Sequence, residues 1–581
     1  MENETDRTLN EIVNEVITEA HINPDLILPE EIAYIREHSL KKPLRVVHIW
    51  ALGVGAVITG MYFGWNFGLP LGGPVGVLIA SLIVCGLYLG WVLGLSELSV
   101  SMPFAGGPLA YGRRAVGKGF GFIMAWSMFL ECLFAGIGTA LATGGYVAFL
   151  LNPEHPGKLT TTVCAIGCAL LFFAIQYVGV REQASIMLWL TIAAIVALVW
   201  FWLATIPGVS LDRVLTNPLL PGKWGGVLGA LPYALWWLVI IESVALASEE
   251  AHEPHVTIPR GMVLAQITLV VLVMLTAFFA CAAAPFAETG KVVYPLPLVF
   301  KNVWGTGWFL MAFSALALTG MVVSYNGMIY AVSRQSFSLG RAGYLPRALG
   351  AVHPVRRTPH VSLAVWTLVT TVFIVFGYFY EQATNIAILI STLAALIWYV
   401  LAMICLFVLR HKEPGQFRPY RVPIYPWLPA FIILVSIFSA YLYGWVNVQV
   451  IVPTIALYVV AGIWYLLRGR HTVLSTAPEE VAARVASKLA ARRSGKAQSG
   501  GTAGIGSGGV GLPLPRWRYA LERVTAVMLA TGIVSLAWMV LRATGWIAGP
   551  PVAVELAIVA AIWSLLFVAL SLVGLASTLG Q

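Results

Sequence analysis

Two carboxylates stand inside runs that otherwise read as hydrocarbon: Glu131 in "SMFLECLFAG" and Glu242 in "LWWLVIIESVALAS". A bare carboxylate in such surroundings costs several kcal/mol unless something neutralises it. The chemistry open to such a group is to hold a cation, to take up and release a proton, or both. A second polar cluster lies in "ITGMYFGWNFG", Ile58 to Gly68, where Thr59, Asn66 and three glycines interrupt an apolar run. Each glycine weakens a helix interior by roughly 1 kcal/mol relative to Ala, and an Asn in hydrocarbon needs a partner. The window predicts a helix that breaks. A third stretch, "GALPYALWWLVIIESVALASEEAHEPHVTIPRG" from Gly229 to Gly261, sets Pro232 ahead of Glu242 and predicts a second break. In lipid a broken helix survives only where its freed N–H and C=O groups face protein or a water-filled cavity. The competing reading for Gly53, Gly55 and Gly60 is close packing of helices through small residues.

The elements that must position these groups follow from composition. Of 581 residues, 59% are hydrophobic and 10% charged, with a mean hydropathy of +0.84. Soluble domains do not have that balance. About fourteen apolar runs are each long enough to cross some 30 Å of hydrocarbon. They lie near residues 47–69, 74–100, 119–150, 161–180, 184–206, 225–248, 262–284, 307–333, 361–380, 385–409, 427–446, 448–468, 520–542 and 550–578. The expectation is an all-α polytopic membrane protein; continuous rather than alternating runs exclude a β-barrel. Residues 1–46 are polar and contain no signal peptide. With the N-terminus placed inside, most of the 35 Lys and Arg fall on the cytoplasmic side, in clusters such as Arg113, Arg114 and Lys118, or Arg410, Lys412, Arg418 and Arg421. Both termini are then cytoplasmic.

Four regions result: a cytoplasmic segment 1–46, a twelve-span unit 47–468, a linker 469–519 and a two-span hairpin 520–581. The linker opens with Val481, Val485 and Leu489 at helical spacing, which suits a basic amphipathic helix on the membrane or a solvated one, and closes Gly-rich. The hairpin contains only Arg542 and Glu555 as charges and reads as a packing or oligomerisation element.

Four stretches carry a family resemblance: "ALGVGAVITGMYFGWNFGLPLGG" (51–73), "SELSVSMPFAGG" (96–107), "IESVALASEEAHEPHVTIPRG" (241–261) and "SYNGMIYAVSRQSFSLGRAGYLPRALGAVHPVRRTPHVSL" (324–363). They resemble the amino acid–polyamine–organocation superfamily, and most nearly its ethanolamine permease branch. Ser243 stands where that branch usually has Gly, and residues 470–581 match none of it. The resemblance covers roughly residues 45–468. It implies a LeuT-type fold of two inverted five-helix repeats, twelve core spans with the hairpin appended, and a substrate site at the broken spans 1 and 6. By matched motif, Ile58, Thr59 and Gly60 form the unwound turn of span 1, and Leu238 to Ser243, Ile241 and Glu242 among them, that of span 6. Amides around Gly60 and Met61 suit a hydrogen-bond acceptor, whereas carbonyls ending the first half-helix suit an ammonium. Trp65, Trp236 and Trp237 are candidates to close over that ammonium, by cation–π contact worth about 0.5–2 kcal/mol, or else simply pack. Glu131 is a candidate cation or proton site. Ser324 and Asn326 of span 8 either contact substrate or ion, or bond helix to helix. Glu97 in "SELS" supports the bundle or a gate. Glu249 and Glu250, opposite the basic "GYLPRALGAVHPVRR", form a gate or a solvated loop.

The function that follows is secondary active transport of a small amine, with ethanolamine first and an amino acid of zwitterionic form second. A membrane sensor or assembly subunit is the reading from another class. The implied partners are the substrate, the lipid bilayer of the plasma (inner) membrane, a proton as coupling ion and, through the hairpin, a second copy of the chain. No Walker A loop or nucleophile–base pattern is present, so neither an enzyme nor a nucleic-acid binder is expected. "GIGSGGVG" follows no strand. His252, His255, His353 and His360 lack the i, i+4 spacing of a metal pair, and no cofactor or metal is assigned. The six cysteines fall in predicted spans and read as packing residues.

Overall fold

The computed structural model describes residues 44–473, apart from 103–105, 179, 217, 249–250, 354–355, 357, 415–417 and 419. The expected linker helix and C-terminal hairpin lie outside the described residues. The chain divides into two units. One is represented among the described residues only by 451–460; the other, residues 29–450 and 461–497, holds the helix bundle and the candidate site.

The described residues are helical and contain no strand, only an isolated bridge between Leu44 and Ala251. The helices run α1 Val46–Val57, α2 Thr59–Tyr62, α3 Leu69–Ser101, α4 Gly107–Ala115, α5 Lys118–Leu151, α6 Lys158–Val178, α7 Val180–Thr205, α8 Leu211–Val214, α9 Lys223–Leu235, α10 Ser243–Leu246, α11 Pro254–Ala283, α12 Phe286–Thr289, α13 Pro295–Trp304, α14 Trp308–Arg341, α15 His360–Phe379, α16 Ala383–Lys412, α17 Trp427–Val446 and α18 Val448–Trp464. Among the described residues nine helices are long and apolar enough to cross a membrane, and Val46–Tyr62 and Trp427–Tyr443 are shorter apolar helices. The run expected at 225–248 is not one helix. It ends at Leu235, crosses an irregular stretch and resumes at Ser243.

Burial follows position in the bundle. Helix α5 is almost wholly covered, packing on α16, α14, α6 and α4, whereas α6 and α15 expose most of their apolar surface. Helix α1 is held by α11, α7 and α14, and α9 lies against α3. Trp224, Trp304, Trp308 and Phe379 stand at or next to the ends of α9, α13, α14 and α15 and are all largely exposed, the position in which aromatics are enriched at lipid–water interfaces.

Candidate functional site

The first break is built by accounting for backbone hydrogen bonds. Helix α1 keeps its ladder as far as Ile58, whose N–H donates to Val54 O at 2.8 Å. The next rung is missing. Thr59 N–H donates instead to Ser324 Oγ at 2.9 Å, and the same hydroxyl donates to Gly55 O at 2.7 Å. The chain then makes one more helical turn, α2, and leaves the helix at Phe63, which is extended, and Gly64, at φ 95°. A Cβ on Gly64 would stand 2.3 Å from the Trp236 ring. The expectation that Thr59 and Gly60 are unwound is therefore corrected. The Ser324 hydroxyl satisfies the rung at residue 59, so the turn stays helical, and the unwound segment begins four residues later.

Several of the groups freed there find partners, as groups buried away from water must. Tyr146 OH donates to Tyr62 O at 2.6 Å and Trp65 Nε1 to Met61 O at 3.2 Å. Asn66 accepts from Gly64 N–H at 2.9 Å and donates to Thr289 O and Val292 O at 2.7 and 2.8 Å. That is the partner its place in an apolar run demanded.

The second break runs from Trp236 to Glu242, between α9 and α10. Ile240 adopts φ 78°, a conformation costly for a β-branched residue. Its N–H points at Glu131 Oε1, 3.3 Å away. The two breaks touch: a Cβ on Gly60 would stand 2.7 Å from both Trp236 O and Trp237 O. Gly60 is needed for space, since its φ is ordinary.

The two acids meet beside this contact. Glu131 Oε2 accepts from Trp398 Nε1 at 2.6 Å, while Glu242 accepts from Tyr399 OH at 2.6 Å and Trp91 Nε1 at 3.4 Å. Glu242 is close enough to Glu131 for their negative charges to oppose each other. Among the described residues, no Lys, Arg or His bonds to either acid. Both are fully buried.

The other candidates separate by what already holds them. Ile58, Thr59, Met61, Leu238 and Ile241 are buried around the paired breaks, with Thr59 Oγ1 3.3 Å from Met321 Sδ. Trp237 stacks on Trp65 with centroids 4.7 Å apart, and its indole N–H donates to Ser81 Oγ at 2.8 Å. Trp236 meets Phe63 edge-on, and its indole N–H is buried without a partner. Of the three tryptophans it is the one with a free donor. Asn326 faces away, toward α6 and α7: Gln176 Nε2 donates to its Oδ1 at 2.8 Å, and its Nδ2 lies 2.9 Å from Met187 Sδ. Sequence reasoning missed Trp91, Tyr146, Trp398 and Tyr399. Their signal was weak but present, since "LIWYVLA" sets adjacent indole and phenol donors in hydrocarbon, where each needs an acceptor. The described residues bring no three metal-ligating side chains together, and the six cysteines carry free thiols.

Residues 44–469 match the family model described as "Amino acid permease". The chain belongs to that family. The permease is 29% identical over 440 residues to an uncharacterised transporter of Rhizobium meliloti, covering 74% of this chain and 92% of the relative. It is 26% identical over 455 residues to a branched-chain amino acid permease of Bacillus subtilis, covering 76% and 96%. A methylthioribose transporter of Bacillus subtilis is 25% identical over 457 residues, covering 76% and 97%. The permease is thus an integral membrane transporter of small molecules.

Glu97 is placed away from the breaks, at the far end of α3. Arg410 of α16 grips it with Nε to Oε1 at 2.8 Å and Nη2 to Oε2 at 2.5 Å. Val422 N–H adds a third bond at 2.6 Å, and Arg418 Nε approaches to 3.6 Å. Arg418 also caps the end of α16 by donating to Leu409 O and Glu413 O. Burial lowers the pKa of its guanidinium from the ordinary value, against the pull of Glu97 and Glu413. In the permease this carboxylate ties α3 to α16 and to the loop after α16. Glu249 and Glu250 lie outside the described residues.

Proposed function

We propose that the permease imports a small primary amine, ethanolamine first, by alternating access in a LeuT-type arrangement of two inverted five-helix repeats. One observation carries this reading: two buried carboxyls lie beside the paired breaks with no protein cation bonded to either among the described residues. Such a pair needs positive charge from outside the chain, because leaving carboxylates uncompensated in hydrocarbon costs several kcal/mol each. An ammonium supplies one positive charge when substrate is bound and a co-transported proton supplies the other, one for each acid. This is why the proton is the coupling ion we assign. A zwitterion brings its own carboxylate and leaves one protein acid still to be neutralised. Trp236, with its free indole N–H, is the donor proposed for the substrate hydroxyl. The membrane is the plasma (inner) membrane, with both termini cytoplasmic and Glu249 and Glu250 at the inner gate. The hairpin at 520–581 serves packing or assembly with a second copy.

The experiment is paired uptake of labelled ethanolamine and labelled alanine into proteoliposomes by wild type and Glu131→Gln. Ethanolamine uptake is expected, with Glu131→Gln weakening it 10-fold or more, roughly the 1.4 kcal/mol or larger loss of one charge contact. Saturable alanine uptake without competition from ethanolamine moves the assignment to an amino-acid permease. The branched-chain permease of Bacillus subtilis favours that second reading. No uptake of any amine or amino acid by folded protein favours a sensor.

A further inference from the structure

We propose that Ser324 is a positioning residue whose hydroxyl is spliced into the backbone ladder of the first span and fixes the turn that faces the second break. In an unbroken helix Thr59 N–H would bond directly to Gly55 O, four residues back. Here one oxygen from α14 stands between them, accepting from the first at 2.9 Å and donating to the second at 2.7 Å. Insertion of a side chain into the ladder is one of the few physical causes of a sharp helix kink. Both backbone groups stay satisfied, yet they are held apart by the width of a hydroxyl.

The neighbouring packing lets a serine reach that far. A Cβ on Gly327, one turn further along α14, would stand 2.9 Å from Ala56 Cβ. A Cβ on Gly55 would meet Val323 at 3.1 Å and Thr191 Oγ1 at 2.5 Å. At both positions the space that a glycine's own side chain would need is already taken by the neighbouring helices, which lets α14 approach α1 closely. Met321, Ser324 and Gly327 lie three apart on α14 and so share the face turned to α1 and α2. Ser324 is fully buried, so water does not compete for its two bonds.

The consequence is that α2 is held in place by α14 rather than by α1. Gly60 lies in that turn, with Trp236 O and Trp237 O against it. Moving the turn by the length of a hydrogen bond changes which amides and carbonyls the two breaks present to a ligand. Ser324 does this without touching the ligand.

The test has two arms, and only the second rests on the amine reading. In the first, amide hydrogen exchange at Thr59 is followed in wild type, Ser324→Ala and Ser324→Thr reconstituted in nanodiscs. Exchange at Thr59 is expected to quicken at least 10-fold in the alanine variant and to return to the wild-type rate in threonine, which keeps the hydroxyl. Wild-type protection in Ser324→Ala overturns the proposal, as does rapid exchange in a folded Ser324→Thr. If the alanine variant does not fold, the threonine variant decides alone by the same criterion. In the second arm, uptake of labelled ethanolamine is expected to show KM raised 10-fold or more in Ser324→Ala with maximal rate within about 2-fold, and both restored in Ser324→Thr. An unchanged KM overturns the positioning role. A wild type that takes up no ethanolamine removes the amine reading and leaves the exchange result standing.

Discussion

Arg410→Met should destabilise the permease by about 3 kcal/mol, the low end of the range for stranding a buried carboxylate. The magnitude comes from the surroundings of Glu97, whose side chain is 1% exposed. Losing Arg410 removes two of its three hydrogen bonds, at 2.8 and 2.5 Å. Val422 N–H and the more distant Arg418 remain, which keeps the loss from the top of the range. Glu97→Gln should cost less, about 1–2 kcal/mol, because the guanidinium left behind is better placed to find other partners. Arg410 is 18% exposed and already lies over the Tyr425 ring at 3.9 Å. In the double variant the two losses should fall short of their sum by about 2 kcal/mol, the coupling expected for groups in direct contact. Reversible unfolding of the four proteins in mixed micelles measures the cycle. A strictly additive double variant, or an Arg410→Met loss below about 0.5 kcal/mol as for a surface pair, refutes the account.

Close contacts set two more outcomes. Gly60→Ala should abolish substrate binding while the protein still inserts, because the new methyl would sit 2.7 Å from two backbone carbonyls that cannot rotate away; normal uptake by this variant excludes the paired-break site. A chain ending at Val473 should transport normally, whereas one ending at Arg470 should lose thermal stability. The longer chain keeps the bond from Thr472 Oγ1 to Gly343 O at 2.7 Å and the packing of Val473 with Leu109, Phe122 and Tyr344; equal melting temperatures for the two refute this.

Much of the fold was legible because hydrocarbon imposes length and composition on each span. The breaks were legible because Gly60, Gly64, Asn66 and Pro232 are poor choices for an uninterrupted apolar helix. Where the first break begins was not legible. Local propensity at Thr59 and Gly60 argues for unwinding, but a hydroxyl 265 residues away completes the rung. The acids announced themselves by their cost in lipid, whereas their partners did not. Trp398 and Tyr399 pass as ordinary membrane aromatics until the fold sets them against Glu131 and Glu242. Glu97 read as support or gate, and only packing could show that its counter-charges come from the end of α16.

The three bonds of Asn66 also bear on how the protein is made. Two of its acceptors, Thr289 O and Val292 O, lie 223 and 226 residues downstream. The ribosome has not yet synthesised them when the first span leaves the insertion machinery, and Ser324 is later still. A nascent segment cannot sit in lipid with its amides unmet, so the first span must enter the bilayer with its ladder closed on itself and open only as the later helices arrive. Substitutions at Asn66 should therefore be felt first in the yield of assembled protein, at a checkpoint of biosynthesis, before any cycle of transport begins.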